Sequence, residues 1–393
     1  MRRAVVVDAV RTASGRGKAQ GALSGVMPAE LLAHTFSQLL ARTGVDPESV
    51  DDVIAGCVNQ VDDQAMNIAR ISWLAAGLPE SVPATTIDRQ CGSSQQAVHF
   101  AAQGVMAGVY DIVIAGGVES MSRVPLGTTV RGGDPERVLN ARYPGGLVGQ
   151  GISAELVMAK WHLDRETIDE YSATSHQRAA ATAAAGGFVR EIVPITLAGG
   201  SVHDTDETIR PQTTPETLAT LPASFYTEES AQRFPDLQWS ITAGNSSPLT
   251  DGASACLIMA EETAQSLGLQ PRAVLHSFAV SGSDPVLMLT GVIPATHKVL
   301  ERAGLTIGQI DAYEVNEAFA PVPLAWAREF GVDRERLNPR GGAIALGHPL
   351  GSSGTRLLAT LINHLEDTQG RYGLQTMCER GGMANALIVE CLR

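Results

Sequence analysis

An α/β fold interrupted by one long insertion is what the sequence predicts, and three observations predict it. Short β-rich apolar runs alternate with segments of helical period from residue 4 to residue 117. Between residues 121 and 250 the character changes to Gly-rich turns, an Ala-rich helical stretch and polar Thr/Pro runs. Beyond residue 250 buried-strand composition returns among further helices, as a second copy of the core would.

Taken in order, residues 4–10 are Ala-Val-Val-Val-Asp-Ala-Val, a first strand by their β-branched side chains. Residues 31–40 place Leu31, Leu32, Phe36, Leu39 and Leu40 at helical spacing. Residues 53–58 predict a strand, 97–107 a helix, and 112–117 another strand. In the insertion, glycines punctuate 127–151, alanines make 172–185 a helix, and 205–222 is polar. Runs at 253–259, 273–280, 310–315, 343–346 and 386–389 predict the strands of the resumed core.

The chain has 393 residues, enough for two or three domains. Its 42 acids against 29 bases leave a net charge of −13, which disfavours nucleic acid and anionic membrane surfaces as partners. No run approaches the roughly 20 apolar residues of a spanning helix. The first ten residues are too short for a signal-peptide core, so a cytoplasmic location is expected. Five widely spaced cysteines without a CxxC pair indicate neither a disulfide framework nor a zinc site. Gly15, Gly17, Lys18 and Gly21 fit neither phosphate-binding fingerprint, so NAD and ATP are unsupported. The sequon at Asn245 lacks a secretory context and is set aside.

Four segments carry chemistry. Cys91 follows a strand and precedes a long helix through Gly92-Ser93-Ser94, so it lies at a helix N-terminus, where the dipole favours thiolate. His348 sits in the glycine-dense stretch 338–354, and a histidine within reach of a cysteine supplies the base that activates it. Cys378 precedes the Gly381-Gly382 turn, and a thiol with a pKa of about 8.5 can exchange protons with carbon next to a thioester. Asn316, after a strand, can donate to an oxyanion directly or through water, and Glu317 can hold neighbouring backbone or the histidine. Read singly, each cysteine is equally a small buried residue and the Asn-Glu pair equally a helix cap.

Together with the segments at 114–122 and 242–247, these motifs follow one another in an order that resembles the thiolases. These acyl-CoA C-acyltransferases cleave 3-oxoacyl-CoA or condense two acyl-CoAs, and the resemblance covers nearly the whole chain. It implies that Cys91 is acylated, that His348 activates it, and that Cys378 moves the proton at the acetyl α-carbon. Asn316, through water, and His348 would stabilise the thioester enolate, while the backbone N–H groups of Cys91 and Arg380 would hold the tetrahedral intermediate. Ser247, Ala318 and Phe319 fall where the family contacts pantetheine, and Gln150 stands beside the acyl pocket.

The implied fold has two similar βαβαβαββ halves in a five-layer α-β-α-β-α core with an inserted loop domain. That assigns 1–120, completed by 250–270, to the N-terminal half, 121–249 to the insertion, and 271–393 to the C-terminal half. The resemblance also implies no metal or redox cofactor, CoA and acyl-CoA as substrates, and a homodimer or homotetramer. Arg380 stands where the family has glycine, so an arginine is expected to hold a glycine-like backbone. Gln95-Gln96 and Gln150 depart from the family pattern and tilt the expectation toward degradative 3-ketoacyl-CoA cleavage. The alternatives are biosynthetic acetoacetyl-CoA formation and, more remotely, a non-catalytic acyl-CoA-binding relative.

Overall fold

In a computed structural model that describes residues 2–392, the alternation resolves into one long mixed sheet. Its N-terminal part comprises β1 (Ala4–Arg11), β2 (Asp52–Gly56), β3 (Ala84–Ile87), β4 (Ile112–Ser120) and β5 (Thr250–Ala260). Its C-terminal part comprises β6 (Ala273–Gly282), β7 (Ala312–Val315), β8 (Tyr372–Glu379) and β9 (Met383–Cys391). The strand order is β7-β8-β9-β6-β1-β5-β4-β2-β3. Pairing is parallel where β2 meets β3 and β4, and where β7 meets β8; the other neighbours are antiparallel.

Two details differ from the implied pair of five-stranded sheets. Val5 and Val6 pair with Val274 and Ala273, which joins the two halves edge to edge. In the C-terminal half the fifth strand is reduced to a single parallel bridge between Tyr313 and Leu337. Arg334–Arg336 and the Gly341-Gly342 turn leave too few extended residues there for a ladder.

Three apolar cores account for the layers. One packs α1 (Pro28–Thr43) on the outer face of the N-terminal strands through Leu31, Leu32, Phe36 and Leu39. The central core holds α2 (Ser93–Met106) and α7 (Ser353–Thr368) between strands of both halves. The third covers the outer C-terminal face with α5 (Val292–Ala303) and α6 (Pro321–Phe330). Leu365, Leu361 and Leu358 of α7 recur at helical spacing, which is why this helix faces the central layer.

The insertion contributes α3 (Gln150–Lys160) and α4 (Arg165–Ala184), whose Ala154, Val157, Ile168 and Tyr171 join the C-terminal core. Helix α4 starts before the alanine-rich run because Asp164 caps it, accepting the Thr167 N–H at 2.8 Å. A buried network ties the insertion to β1: the Arg11 guanidinium donates to Glu191 at 2.7 Å and to both oxygens of Asp206. Residues 343–346, expected as a strand, form a helical turn between Gly342 and Gly347. Strand β8 was not anticipated because Gln375 and Thr376 break its apolar run. Both are buried, and their donors are partnered: the Gln375 amide donates to the Gly354 carbonyl at 2.7 Å and the Thr376 hydroxyl to the Asn385 carbonyl at 2.8 Å. Among the described residues no helix is long and apolar enough to cross a membrane.

Candidate active site

Cys91 stands in the turn between β3 and α2. Gln90 takes a left-handed φ of 49°, and the Asp88 carboxylate accepts its N–H at 2.6 Å, so the chain reverses just before the cysteine. Asn385 of β9 reaches across and donates to the Gly92 carbonyl at 2.9 Å. A Cβ at position 92 would run into the Glu379 carboxyl and the Asn385 amide, so any larger residue there requires those side chains to shift. Cys91 is 4% exposed. Burial, reinforced by Cys378 and Glu379, pushes its thiol up, against the thiolate preference expected from the helix end. The Gln150 amide hydrogen-bonds the thiol and opposes the shift.

His348 arrives on a segment held at both ends. Gly347, at a φ of 82°, packs against the side chain of Thr250, whose Oγ1 accepts the His348 N–H at 3.0 Å. The Ser353 hydroxyl donates to the Pro349 carbonyl at 2.8 Å, so its lone pair is what meets His348 Nδ1 at 2.5 Å. That assigns the proton to Nδ1 and leaves Nε2 as the basic nitrogen. Burial, with the Arg356 guanidinium nearby, pushes the imidazole down to about 3, so it is neutral at physiological pH.

Asn316 lies just beyond β7, its Nδ2 at 3.3 Å from His348 Nε2, and it also hydrogen-bonds the Cys378 thiol. Its Oδ1 has no partner among the described residues. Cys378 is fully buried, and burial pushes its thiol up to about 12. One amide thus touches both the base and the second cysteine.

A cavity of about 600 Å³ opens in front of this group, and Cys91, Gln150, Ser247, Ala318, Phe319, His348 and Arg380 all line it. Cys378 and Asn316 are not in its wall; they lie behind it. The Ser247 side of the cavity is built by backbone pairing, with the Ser247 N–H donating to the Ala318 carbonyl at 3.0 Å and the Ala320 N–H to the Asn245 carbonyl at 3.0 Å. Arg380 lies outside the left-handed region; the positive φ values fall on Gly381 (81°) and Gly382 (77°). The arginine therefore needs no glycine-like backbone, contrary to expectation. Gln95 and Gln96 are buried away from the cavity, and the Gln95 Oε1 accepts from Gln375 at 2.8 Å across the two halves. They shape the interior and not the acyl site.

Several contributors were not legible beforehand. Phe225 lines the cavity and packs edge-on against Phe319, with centroids 5.8 Å apart. Ser353 and Thr250 hold the histidine, and only the density of small residues around His348 hinted at such support. Glu317 does not reach His348. Its carboxylate accepts from Tyr171, Ser175, Asn338 and the Ile344 N–H at 2.8–3.0 Å, clamping the turn before the histidine onto α4. Glu119 similarly accepts from the Asn59 and Gly351 N–H groups, joining the two halves beneath the site. Among the described residues no group of three His, Cys, Asp or Glu side chains could hold a metal ion.

The arrangement can acylate a thiol beside a neutral imidazole and deliver a proton from a second thiol. Two family models match the chain end to end, "Thiolase, N-terminal domain" over residues 4–262 and "Thiolase, C-terminal domain" over residues 269–391. The chain is 46% identical, over its full length and 95% of the relative's, to the steroid 3-ketoacyl-CoA thiolase FadA6 of Mycobacterium tuberculosis. It is 43% identical to the 3-ketoacyl-CoA thiolase of Aeromonas salmonicida, covering 99% of this chain and 100% of that one. The crystal structure of the Bacillus anthracis acetyl-CoA acetyltransferase superimposes with a TM-score of 0.89 at 36% identity, over 100% of this chain and 99% of that one.

Proposed function

The chain belongs to the thiolase family and is an acyltransferase, and from that premise we propose that Cys91, His348, Cys378 and Asn316 cleave 3-oxoacyl-CoA with CoA, in the degradative direction. The observation that carries these roles is the cavity that sets Cys91 and His348 in one wall beside Ser247, Ala318 and Phe319. The 3-ketoacyl-CoA thiolase names of relatives at 42–46% identity support the degradative direction. The acetyl-CoA acetyltransferase neighbour keeps acetoacetyl-CoA formation as the second possibility. A non-catalytic acyl-CoA-binding protein would have no need of Cys91 and His348 facing one cavity.

In the first half-reaction His348 Nε2 takes the Cys91 proton as the sulfur adds to the 3-keto carbon. The tetrahedral oxyanion is stabilised by the N–H groups of Cys91 and Arg380. Collapse breaks the C2–C3 bond, leaves the acyl group on Cys91 and places the electron pair on the acetyl-CoA enolate. The enolate oxygen faces the His348 and Asn316 side, where Nδ2 is the donor at hand. Cys378 gives its proton to C2 and acetyl-CoA leaves. A second CoA thiol loses its proton to Cys378, attacks the thioester and releases Cys91, whose sulfur recovers a proton from His348. A thiol pushed up to about 12 is a weak acid, as required for protonating an enolate without standing ionised.

We place pantetheine along Ser247, Ala318 and Phe319, with no resident cofactor and both CoA species as substrates. A homo-oligomer is part of the proposal, supported by the open sheet edge at β3 beside exposed Met66, Ile71 and Leu74. A cytoplasmic place is proposed too, where charged CoA esters are met. Thiolysis of 3-oxoacyl-CoAs from acetoacetyl to bulky ring-bearing groups tests the whole. A maximum at larger acyl groups is expected; a maximum at acetoacetyl-CoA would favour the biosynthetic direction, and no turnover with any member would refute the catalytic assignment.

A further inference from the structure

Cys91 borders a second cavity, of about 480 Å³, on the side away from Ser247 and Phe319. The two cavities share Cys91, Leu126, Gln150, Leu350 and Arg380, so an acyl group leaving the thioester region beside Cys91 has this second space open to it. Its floor includes Asn59 and Gln90, and its roof comes from the insertion, through Thr129, Val130, Pro135 and Glu136.

The roof is thinly attached. Residues 125–142 hold two short 3-10 turns, Thr128–Val130 and Arg137–Leu139, and their backbone hydrogen bonds are local. Apolar side chains on this stretch are poorly covered, with Val138 81% exposed and Leu126, which borders both cavities, 57% exposed. Among the described residues, one side-chain hydrogen-bonded ion pair ties residues 125–142 to the rest of the chain: the Arg380 guanidinium donates to Glu136 Oε1 through Nη2 at 2.6 Å and Nε at 3.1 Å. Arg380 follows Cys378 by two positions, on the turn leaving β8. The pair therefore bolts a lightly held roof to the rigid strand end that carries the second cysteine.

We propose that Arg380 and Glu136 form a latch over the second cavity, and that this latch determines how bulky an acyl group Cys91 accepts. The proposal rests on the acyl-CoA cleavage argued above and adds the residue pair that limits its substrate class. With the latch closed, the roof restricts the space beyond the 3-keto carbon. With it released, residues 125–142 can lift while the cavity along Ser247 and Phe319 is untouched. Acetoacetyl-CoA, whose transferred group is a bare acetyl, has no atoms to place under the roof.

The test compares kcat and KM for acetoacetyl-CoA and for a ring-bearing 3-oxoacyl-CoA in the wild type, in Glu136→Gln, and in the charge swap Glu136→Arg with Arg380→Glu. Glu136→Gln is expected to lower the KM for the bulky substrate by about two- to fivefold, the factor equivalent to about 0.4–1 kcal/mol for a part-exposed ion pair. Acetoacetyl-CoA kinetics should not change in Glu136→Gln; the swap, which also alters a residue of the oxyanion site and is therefore read only as the ratio between the two substrates, should restore the wild-type ratio. High salt should move the wild type toward the Glu136→Gln ratio and leave that variant unmoved. An unchanged ratio in Glu136→Gln, or an equal loss with both substrates, would overturn the latch. Absence of turnover by the wild type with either substrate would instead strike the underlying cleavage reaction.

Discussion

Replacing Ser353 with Ala is the sharpest probe of how the base is prepared. In the folded chain the Ser353 hydroxyl accepts His348 Nδ1–H at 2.5 Å while donating to the Pro349 carbonyl at 2.8 Å. Ser353 is fully buried and His348 4% exposed, so no solvent replaces the lost acceptor. A buried donor left without a partner costs about 1–3 kcal/mol. If that cost falls on the tautomer with Nε2 basic, the active form is depleted and kcat falls roughly 5- to 150-fold, at 1.4 kcal/mol per factor of ten. Ser353 does not line the substrate cavity, so KM should stay within about twofold, an equal loss from ground and transition states being the alternative. Thiolysis of acetoacetyl-CoA, followed by loss of substrate absorbance, measures both constants, and a thermal melt checks the fold. A Ser353→Ala enzyme with wild-type kcat would refute the claim that this hydroxyl fixes the tautomer.

Removing Cys378 by Cys378→Ala should leave acylation of Cys91 intact and abolish exchange of the acetyl-CoA methyl protons with deuterated water; exchange that persists would assign the proton to another group. Burial pushes the Cys91 thiol up, so alkylation by iodoacetamide should be slow at neutral pH and climb without a plateau to pH 9, and a plateau near neutrality would mean a standing thiolate. Glu317→Ala removes the acceptor of four buried donors, and a loss of roughly 3–5 kcal/mol in urea unfolding is expected, with kcat falling as the turn before His348 loosens. Burial, only partly offset by Arg89, pushes the Glu379 carboxyl up to about 8 from an ordinary 4.5. Its folded pKa is raised, so its contribution to stability is full below about 4.5 and is lost as pH climbs through 8. Glu379→Gln should therefore gain stability relative to wild type between pH 5 and pH 9 in thermal melts, and parallel curves would show the carboxylate already ionised in the fold.

The sequence made Cys91, His348 and Cys378 legible because local composition marks them: small residues around each leave room for a ligand and little other reason for their density. That Cys91 and His348 meet in one cavity wall with Cys378 behind it depends on sheet order, which no local pattern encodes. Ser353 and Glu317 show the limit well. A hydroxyl five residues after a histidine is unremarkable until a helix start brings it under the ring, and Glu317 finds two of its partners, Tyr171 and Ser175, on α4, far away along the chain. The misreading of 343–346 has the same origin. Ala-Ile-Ala-Leu suits a buried strand or a buried turn of helix, and the flanking glycines chose the latter. Gln95 misled because a glutamine beside a nucleophile suggests a lining residue, whereas its amide serves a buried pairing with Gln375.

The join between the halves has a consequence for how the chain is made. Strand β1 is made before the other strands of the sheet, yet its two neighbours are β5 and β6, at Thr250–Ala260 and Ala273–Gly282. At 5–20 residues per second, about 15–55 s of synthesis separates the first strand from the completion of its ladder. Until β5 is made, this apolar strand, buried along its whole length in the finished fold, has both edges open. The two regions matched by separate family models meet in one sheet through the Val5–Val274 and Val6–Ala273 pairs, so a protein cut near residue 265 would rely on that short junction alone to keep the sheet continuous.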